Sequence, residues 1–339
     1  MSTETSPQTF HLSGPASLLA HVAYTLGFTP TDSLVAVSLK GPSSQVGLVA
    51  RVDLTDTAEA APALAGHMCN DRADRVVLVV YTDDQEAGRC AAEAVRMALV
   101  TSQWHRVWQV TPTGYRPLYS DEGLRPIAEV TESTEAVRRI LAGDALVASA
   151  ADLLPRQAST AARTRARRAA DQWATQGHTP TEDLALWSGA TTAPVRLSVA
   201  RLGRLAAALG RVTVRDALIV AMIPDSPTDL PAQVADQSAD PGAVAAAMDA
   251  LMGTRAPARP GQAADAHEAV LAQVIAHTQG TAHDAPAWTL WALVQWWRGD
   301  GVRARAALTL ATGTDPDYRL AHLLTGALDA GIAPGWLRH

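Results

Sequence analysis

Apolar and polar positions along the chain follow two regimes, one alternating between helix and strand periods and one helical throughout. Leu18, Leu19, Val22, Ala23 and Leu26 recur at the spacing of a single helix face. Pro15 stands in the first turn, where its missing N–H is harmless, and Gly27 is placed to end the helix. Thr29-Pro30-Thr31-Asp32 reads as a turn, Leu34 to Leu39 as a buried strand, and Gly41 to Ser44 as the turn of a hairpin whose second arm is Val46 to Leu54. Ala58 to Asn70 has helical spacing despite Pro62. The run RVVLVVYT from Arg75 to Thr82 is apolar on both faces, as an interior strand requires. A helix from about Gln85 to Thr101 and a short strand around Arg106 to Val110 follow. This order predicts an α/β layout in which Val46–Leu54 runs parallel to Val76–Tyr81 across a crossover.

Beyond Pro126 the strand signals stop, and helical patterns recur at Thr134–Ser149, Gln157–Gln176, Val195–Leu209, Val214–Met222, Gly242–Met252 and Asp265–Thr278. Further helices are expected over Pro286–Arg298, Val302–Ala311 and Asp317–Leu328. Leu290, Leu293 and Val294 recur as Leu320, Leu323 and Leu324, an offset of 30 residues. That resembles a tetratricopeptide array but is short of its period of about 34, and fewer than three repeats do not stand alone. The expectation is therefore an α/β N-terminal domain over 1–126, a mixed sheet with flanking helices, followed by an all-α helical domain over 127–339 ending in tetratricopeptide-like helix hairpins. Proline-rich linkers are expected near 224–231 (PDSPTDLP) and 254–262 (TRAPARPGQ).

Composition narrows the classes. The chain has 339 residues, 47% hydrophobic and 18% charged, which excludes a disordered charged tail and a fibrous repeat. The net charge of −6 gives no reason to expect a nucleic-acid coat or an anionic membrane as partner. Two cysteines, Cys69 and Cys90, make neither a disulfide framework nor a four-ligand zinc site. The first ten residues do not read as a secretory leader, and no window reaches about 18 uninterrupted apolar residues. A cytoplasmic protein without a membrane span is expected. Lys40 is the only lysine, so arginine is simply the default cation here and its abundance is weak evidence for phosphate binding.

Several short stretches together resemble a known family of actinobacterial proteins. They are Gly14-Pro15 with Leu18-Leu19, Leu26-Gly27-Phe28 with Pro30, Asp32-Ser33-Leu34-Val35, and Ala50-Arg51-Val52-Asp53-Leu54. Towards the end, Trp297-Arg298-Gly299-Asp300-Gly301, Asp315-Pro316, Tyr318-Arg319-Leu320-Ala321 and Leu323-Leu324 match as well. The family is the domain of unknown function 4192, and the resemblance spans most of the chain. Many members carry a cysteine- and proline-rich stretch before a glycine. Here the corresponding run is Ser120-Asp121-Glu122-Gly123-Leu124-Arg125-Pro126, so no thiol or metal role carries over. What the resemblance implies is ancestry and fold class rather than chemistry.

Four groups of residues carry candidate chemistry. Asp53 closes one strand and Asp83-Asp84 the next, so parallel strands would place all three carboxylates at the sheet edge where open α/β sheets bind ligands. There they would hold Mg²⁺ against a phosphate, or simply cap the helices that follow. No cofactor is otherwise predicted, since the glycine-rich nucleotide cradles are absent. Asp32, Ser33 and Arg51 form the second group: if Leu34 lies opposite Arg51, Asp32 and Arg51 pair at the sheet end, fastening the fold or gripping a small anion. Arg156, Arg163 and Arg167 differ by 7 and 4 residues. That spacing puts them within about 40° on one helical face, either a solvated stripe or a phosphate contact to nucleic acid. Finally, Trp288, Trp291 and Trp296 lie on a helix apolar all round, which is either core or the contact surface for a protein partner or a second copy. No metal-binding histidine pair, nucleophile elbow or complete catalytic constellation is present. The leading expectation is an intracellular protein acting through contacts of its helical C-terminal region. The alternatives are a phosphate- or nucleotide-binding protein and, weaker, nucleic-acid binding through the arginine stripe.

Overall fold

The computed structural model describes residues 14–99, 104–192, 196–253 and 255–337, with the side chains of 104 and 105 left aside. The first ten residues, the last positions of the helix expected to reach Thr101, and Val195 lie outside them. The chain forms two compact units, Met1–Ala150 and Ala151–His339.

The first unit begins with α1 (Pro15–Leu26), which Gly27 ends in the left-handed conformation at φ 82°, its N–H bonded to the Ala23 carbonyl. The hairpin of β1 (Ser33–Lys40) and β2 (Gln45–Asp53) follows, then α2 (Thr57–Asn70), β3 (Arg75–Tyr81) and α3 (Gln85–Ala98). β4 (Trp104–Val110), β5 (Gly114–Pro117) and β6 (Arg125–Pro126) complete the sheet, and α4 (Ala128–Thr131) and α5 (Thr134–Leu141) close the unit. The strand order is β2-β1-β3-β4-β5-β6. β1 pairs antiparallel with both β2 and β3, and β3 pairs parallel with β4. β2 and β3 thus share a direction, as the crossover predicts, but β1 lies between them. The hairpin keeps its own partner, because a short turn pairs its two arms before any crossover strand can intervene.

Apolar residues account for the layering. Leu34, Ala36, Leu78 and Val80 face α2 and α3 through Leu64, Met68, Ala92 and Val95, and all of these are buried. Val35, Val37, Val77 and Val79 fill the opposite face and are equally buried. The β1–β2 ladder shifts register between Val37 and Leu39, and Asp71 plugs the irregularity. Its carboxylate accepts from the Leu48 N–H at 2.9 Å and pairs with Lys40 at 2.8 Å. On α5, Glu135 is buried and receives Arg138 in a two-pronged contact at 2.6 and 2.7 Å, Arg139 at 3.1 Å and His21 of α1 at 2.9 Å. Helices α4 and α5 pack on α1. The division between the units therefore falls at 150–151, not at the 126 read from the loss of strand signals. Gly143, at φ 91°, follows the end of α5, which is shorter than the helix expected to reach Ser149.

The second unit is helical: α6 (Thr160–Thr175), α7 (Pro180–Thr191), α8 (Val199–Ala208), α9 (Val212–Met222), α10 (Leu230–Ala235), α11 (Pro241–Met252), α12 (Gln262–Thr278), α13 (Ala285–Trp297), α14 (Gly301–Thr314) and α15 (Arg319–Asp329). α6 and α8 approach closely at Gly203, where a Cβ would lie 2.0 Å from the Ala166 carbonyl oxygen. One core runs from Trp187 of α7 to Leu324 of α15 and includes every residue of α13 that is apolar and large. The two proline-rich stretches read as linkers are loops inside this unit. Leu230 is buried, and residue 258 donates to the Ala250 carbonyl and accepts from the Trp297 indole, so both stretches are tied to the core. α7 escaped the periodicity reading, yet its capping box, Thr179 with Glu182 around Pro180, is a local start signal.

Candidate functional site

Three candidate carboxylates, Asp53, Asp83 and Asp84, fall at the sheet edge. Ser33 of β1 pairs with Asp53 on one side and Tyr81 on the other, so Asp53 and the start of the Asp83-Asp84 turn do lie at one edge. They are two strand spacings apart, about 10 Å at the backbone. Asp84 is spent as the N-cap of α3, accepting from the Glu86 and Ala87 N–H groups. Asp83 is exposed, and Asp53 pairs with Arg51. The three carboxylates share an edge without converging. Among the described residues, no group of three or more His, Cys, Asp and Glu side chains is placed to hold a metal ion.

Arg51 does not take the expected partner. The register sets it opposite Val35, not Leu34, and its guanidinium pairs with Asp53 on its own strand. Its Nε donates to Ser33 Oγ at 3.0 Å, Ser33 in turn donates to the Thr31 carbonyl at 2.6 Å, and Phe28 lies under the guanidinium at 5.8 Å. Asp32, exposed at φ 42°, instead offers its backbone carbonyl to the Leu54 N–H. The group is a closed fastener between the turn after α1 and the hairpin. Its positive charge is already answered.

The arginine stripe also dissolves. α6 starts at Thr160, capped by Ser159, so Arg156 precedes the helix and the angular spacing does not apply to it. Arg156 faces Asp152 at 3.9 Å, Arg167 faces Asp171 at 3.8 Å, and Arg163 donates to the Gln279 carbonyl at 3.4 Å. Trp288, Trp291 and Trp296 are 0%, 3% and 3% exposed, so they are core and not a contact surface. α13 is apolar all round because α12, α14, α15 and α9 surround it.

A different set of residues does converge. Along one face of β4, β5 and β6, from Arg106 beside Val77 of β3 to Arg125 opposite Tyr115 of β5, the surface opens into a cleft of about 370 Å³. Arg106 and Trp108 alternate along β4 onto one face, and the Arg106 guanidinium lies 5.7 Å from the Trp108 ring. Pro117, paired with Trp108, and the backbone of Val107 continue the floor. The rim is the loop after β5: Tyr119, Ser120 and Glu122, with Arg125 of β6 closing it. Arg125 is 4.0 Å from Glu122. Tyr119 donates to Glu93 of α3 at 2.6 Å; burial and that carboxylate push its hydroxyl up to about 12 and keep it neutral. The Ser120 hydroxyl accepts from the Glu122 N–H at 3.1 Å and shapes the loop. Two guanidiniums against one carboxylate, over an apolar floor, form a pocket of ligand size with anion-binding chemistry. Sequence reasoning missed it because its residues come from two strands and a loop; the alternation Arg106-x-Trp108 was the one local signal.

A mixed α/β sheet unit followed by an all-helical unit is the class of protein these elements define. The chain belongs to the family described as Domain of unknown function (DUF4192), whose model matches residues 15–260 and 249–335. No curated protein matches the chain, and no solved structure does. The stretches that carry the family likeness hold the fold. Gly27 and Gly299 adopt φ 82° and 87°, Asp300 caps α14 at the Arg303 N–H, and Arg298 bridges to Asp265 and Glu268 of α12. Among the described residues no helix is long and apolar enough to cross a membrane.

Proposed function

We propose that the α/β unit binds a small anion in the cleft between β4, β5 and the loop that follows. The observation supporting this is the presence of Arg106 and Arg125 on one ligand-sized cleft that holds a single carboxylate, Glu122. The phosphate-type chemistry expected of Asp53, Asp83 and Asp84 is kept in kind but moved to residues that converge. Mg²⁺ has no role in this reading, because the cleft's cations are its own arginines.

The test is thermal unfolding of the full chain with inorganic phosphate and simple carboxylates, beside Arg106→Gln and Arg125→Gln. A ligand at 100 times its Kd stabilises by about 2.7 kcal/mol, which for a chain of this length moves the melting point by about 4 °C. A shift that both variants lose is the expected result. No shift with any anion at millimolar concentration overturns the reading.

A second reading keeps the expected protein contact as self-association, since Trp288, Trp291 and Trp296 no longer offer a surface. Val137, Ile140 and Leu141 of α5, spaced i, i+3, i+4, are 47%, 56% and 83% exposed, while Glu135 of the same helix turns inward. The mass of the protein in solution, with and without Leu141→Ser, tests it: a monomer at every concentration removes this reading.

A further inference from the structure

Resting on the anion-binding reading, we propose that the cleft selects a monoanion, a carboxylate borne on an apolar body, and that Glu122 sets this choice of charge. The lining carries an unbalanced charge. Arg106 and Arg125 contribute two positive charges and Glu122 one negative charge, leaving a net charge of one to be answered. The ionised neighbours balance among themselves. Glu93 pairs with Arg96 at 2.7 Å, and Glu129, which accepts from the Tyr115 hydroxyl at 2.6 Å and keeps its charge, is offset by Arg89 near Tyr119.

The two arginines play unlike parts. Arg106 lies 5.7 Å from the Trp108 ring, and its N–H edge, which has no hydrogen-bond partner among the described residues, can fork a planar carboxylate. Arg125 already has Glu122 at 4.0 Å, with side chains 48% and 62% exposed. A monoanion on Arg106 completes the neutralisation and leaves the Arg125–Glu122 pair in place. A dianion brings a second negative charge towards Glu122 without a further cation to meet it. Trp108 and Pro117 beneath the arginines give an apolar body something to cover, and Tyr119, held by Glu93, is a fixed wall beside it.

The charge effect has a definite size. Removing one unit charge about 6 Å from the ligand, in a largely aqueous dielectric, is worth about threefold per ligand charge, and more where water is partly excluded. A dianion gains twice what a monoanion gains, so the ratio of the two affinities shifts by that one factor.

The experiment is calorimetric titration of phenylacetate and phenyl phosphate, which share a ring and differ in charge, into the full chain and into Glu122→Gln. At pH 8 the phosphate monoester is a dianion. Wild type is expected to bind phenylacetate more tightly, and Glu122→Gln to raise the phenyl phosphate affinity relative to phenylacetate by about three- to tenfold. A wild-type preference for phenyl phosphate, or a ratio unchanged in Glu122→Gln, overturns the charge selection and leaves the anion reading standing. If neither protein binds either compound, the anion reading falls with it.

Discussion

Glu135→Gln is the substitution that most directly probes how the first unit is held. Glu135 is 5% exposed and carries Arg138 and Arg139 of its own helix together with His21 of α1, so a charged cluster built on α5 meets α1 through His21. Burial alone would raise its carboxyl, but the hydrogen bonds from Arg138, His21 and Arg139 outweigh this and hold it at about 2 against an ordinary 4.5. That difference corresponds to about 3 kcal/mol at neutral pH. The arginine side chains are 33% and 22% exposed, so water screens part of it; we expect about 1–2 kcal/mol to survive.

The sign follows from a depressed carboxyl. The contribution is complete above pH 4.5 and fades as pH falls from 4.5 towards 2. His21 adds to the acid loss: burial lowers its pKa, so the unfolded chain takes up the proton first and stability begins to fall below about 6.5. Urea unfolding of wild type and Glu135→Gln across pH 3 to 8 measures the difference, and hydrogen exchange over α1 and α5 assigns it to this junction. The expected difference is about 1–2 kcal/mol above pH 5, shrinking towards pH 3 as the wild-type carboxyl takes up its proton. A difference that stays constant with pH, or is absent at pH 7, would refute the charge-fastening argument.

Three further outcomes are expected. The Trp288 indole N–H has no partner among the described residues, whereas Trp297 donates to the Ala258 carbonyl at 3.0 Å. Trp297→Phe should therefore cost about 1 kcal/mol more than Trp288→Phe in denaturant unfolding, because it removes a hydrogen bond to a half-buried acceptor. Gly203→Ala should destabilise the helical unit by about 2 kcal/mol or more despite its helix propensity. The reason is that its Cβ would meet the Ala166 carbonyl, and calorimetry reads the loss as a lowered melting point. Asp300→Ala removes the cap of α14 and a 3.0 Å pair with Arg303, so a loss of about 1 kcal/mol is expected, with faster exchange of the first amides of α14.

Local chemistry made much of this fold legible. α1 runs from Pro15 to Leu26 and stops at Gly27 because proline and glycine act on their own backbone, whatever surrounds them. The hairpin about residues 41–44 and the interior strand of Arg75–Tyr81 were readable for the same reason: turn chemistry and β-branched runs are properties of neighbours in sequence. The family resemblance was read from stretches of this kind, among them the left-handed Gly27 and Gly299. The candidate sites were less legible. Arg51 found Asp53 instead of Asp32 because the register differed by one residue, and a single step in a strand turns a side chain to the other face. Arg156 left the arginine stripe because the helix starts at Thr160, capped by Ser159, and Arg156 lies before it.

By itself, then, the sequence determined most of the longer elements, several of their caps, and the passage from an α/β half to a helical half, since each depends on contacts within a few residues. Only the tertiary structure decided that β1 lies between β2 and β3, that α13 is enclosed and not presented, and that Arg106 and Arg125 meet across one cleft. Each of these depends on which distant segments pack together. An apolar helix carries the same residues whether it is wrapped or waiting for a partner, and two arginines 19 positions apart in the chain become one site only when β4, β5 and β6 lie side by side in one sheet.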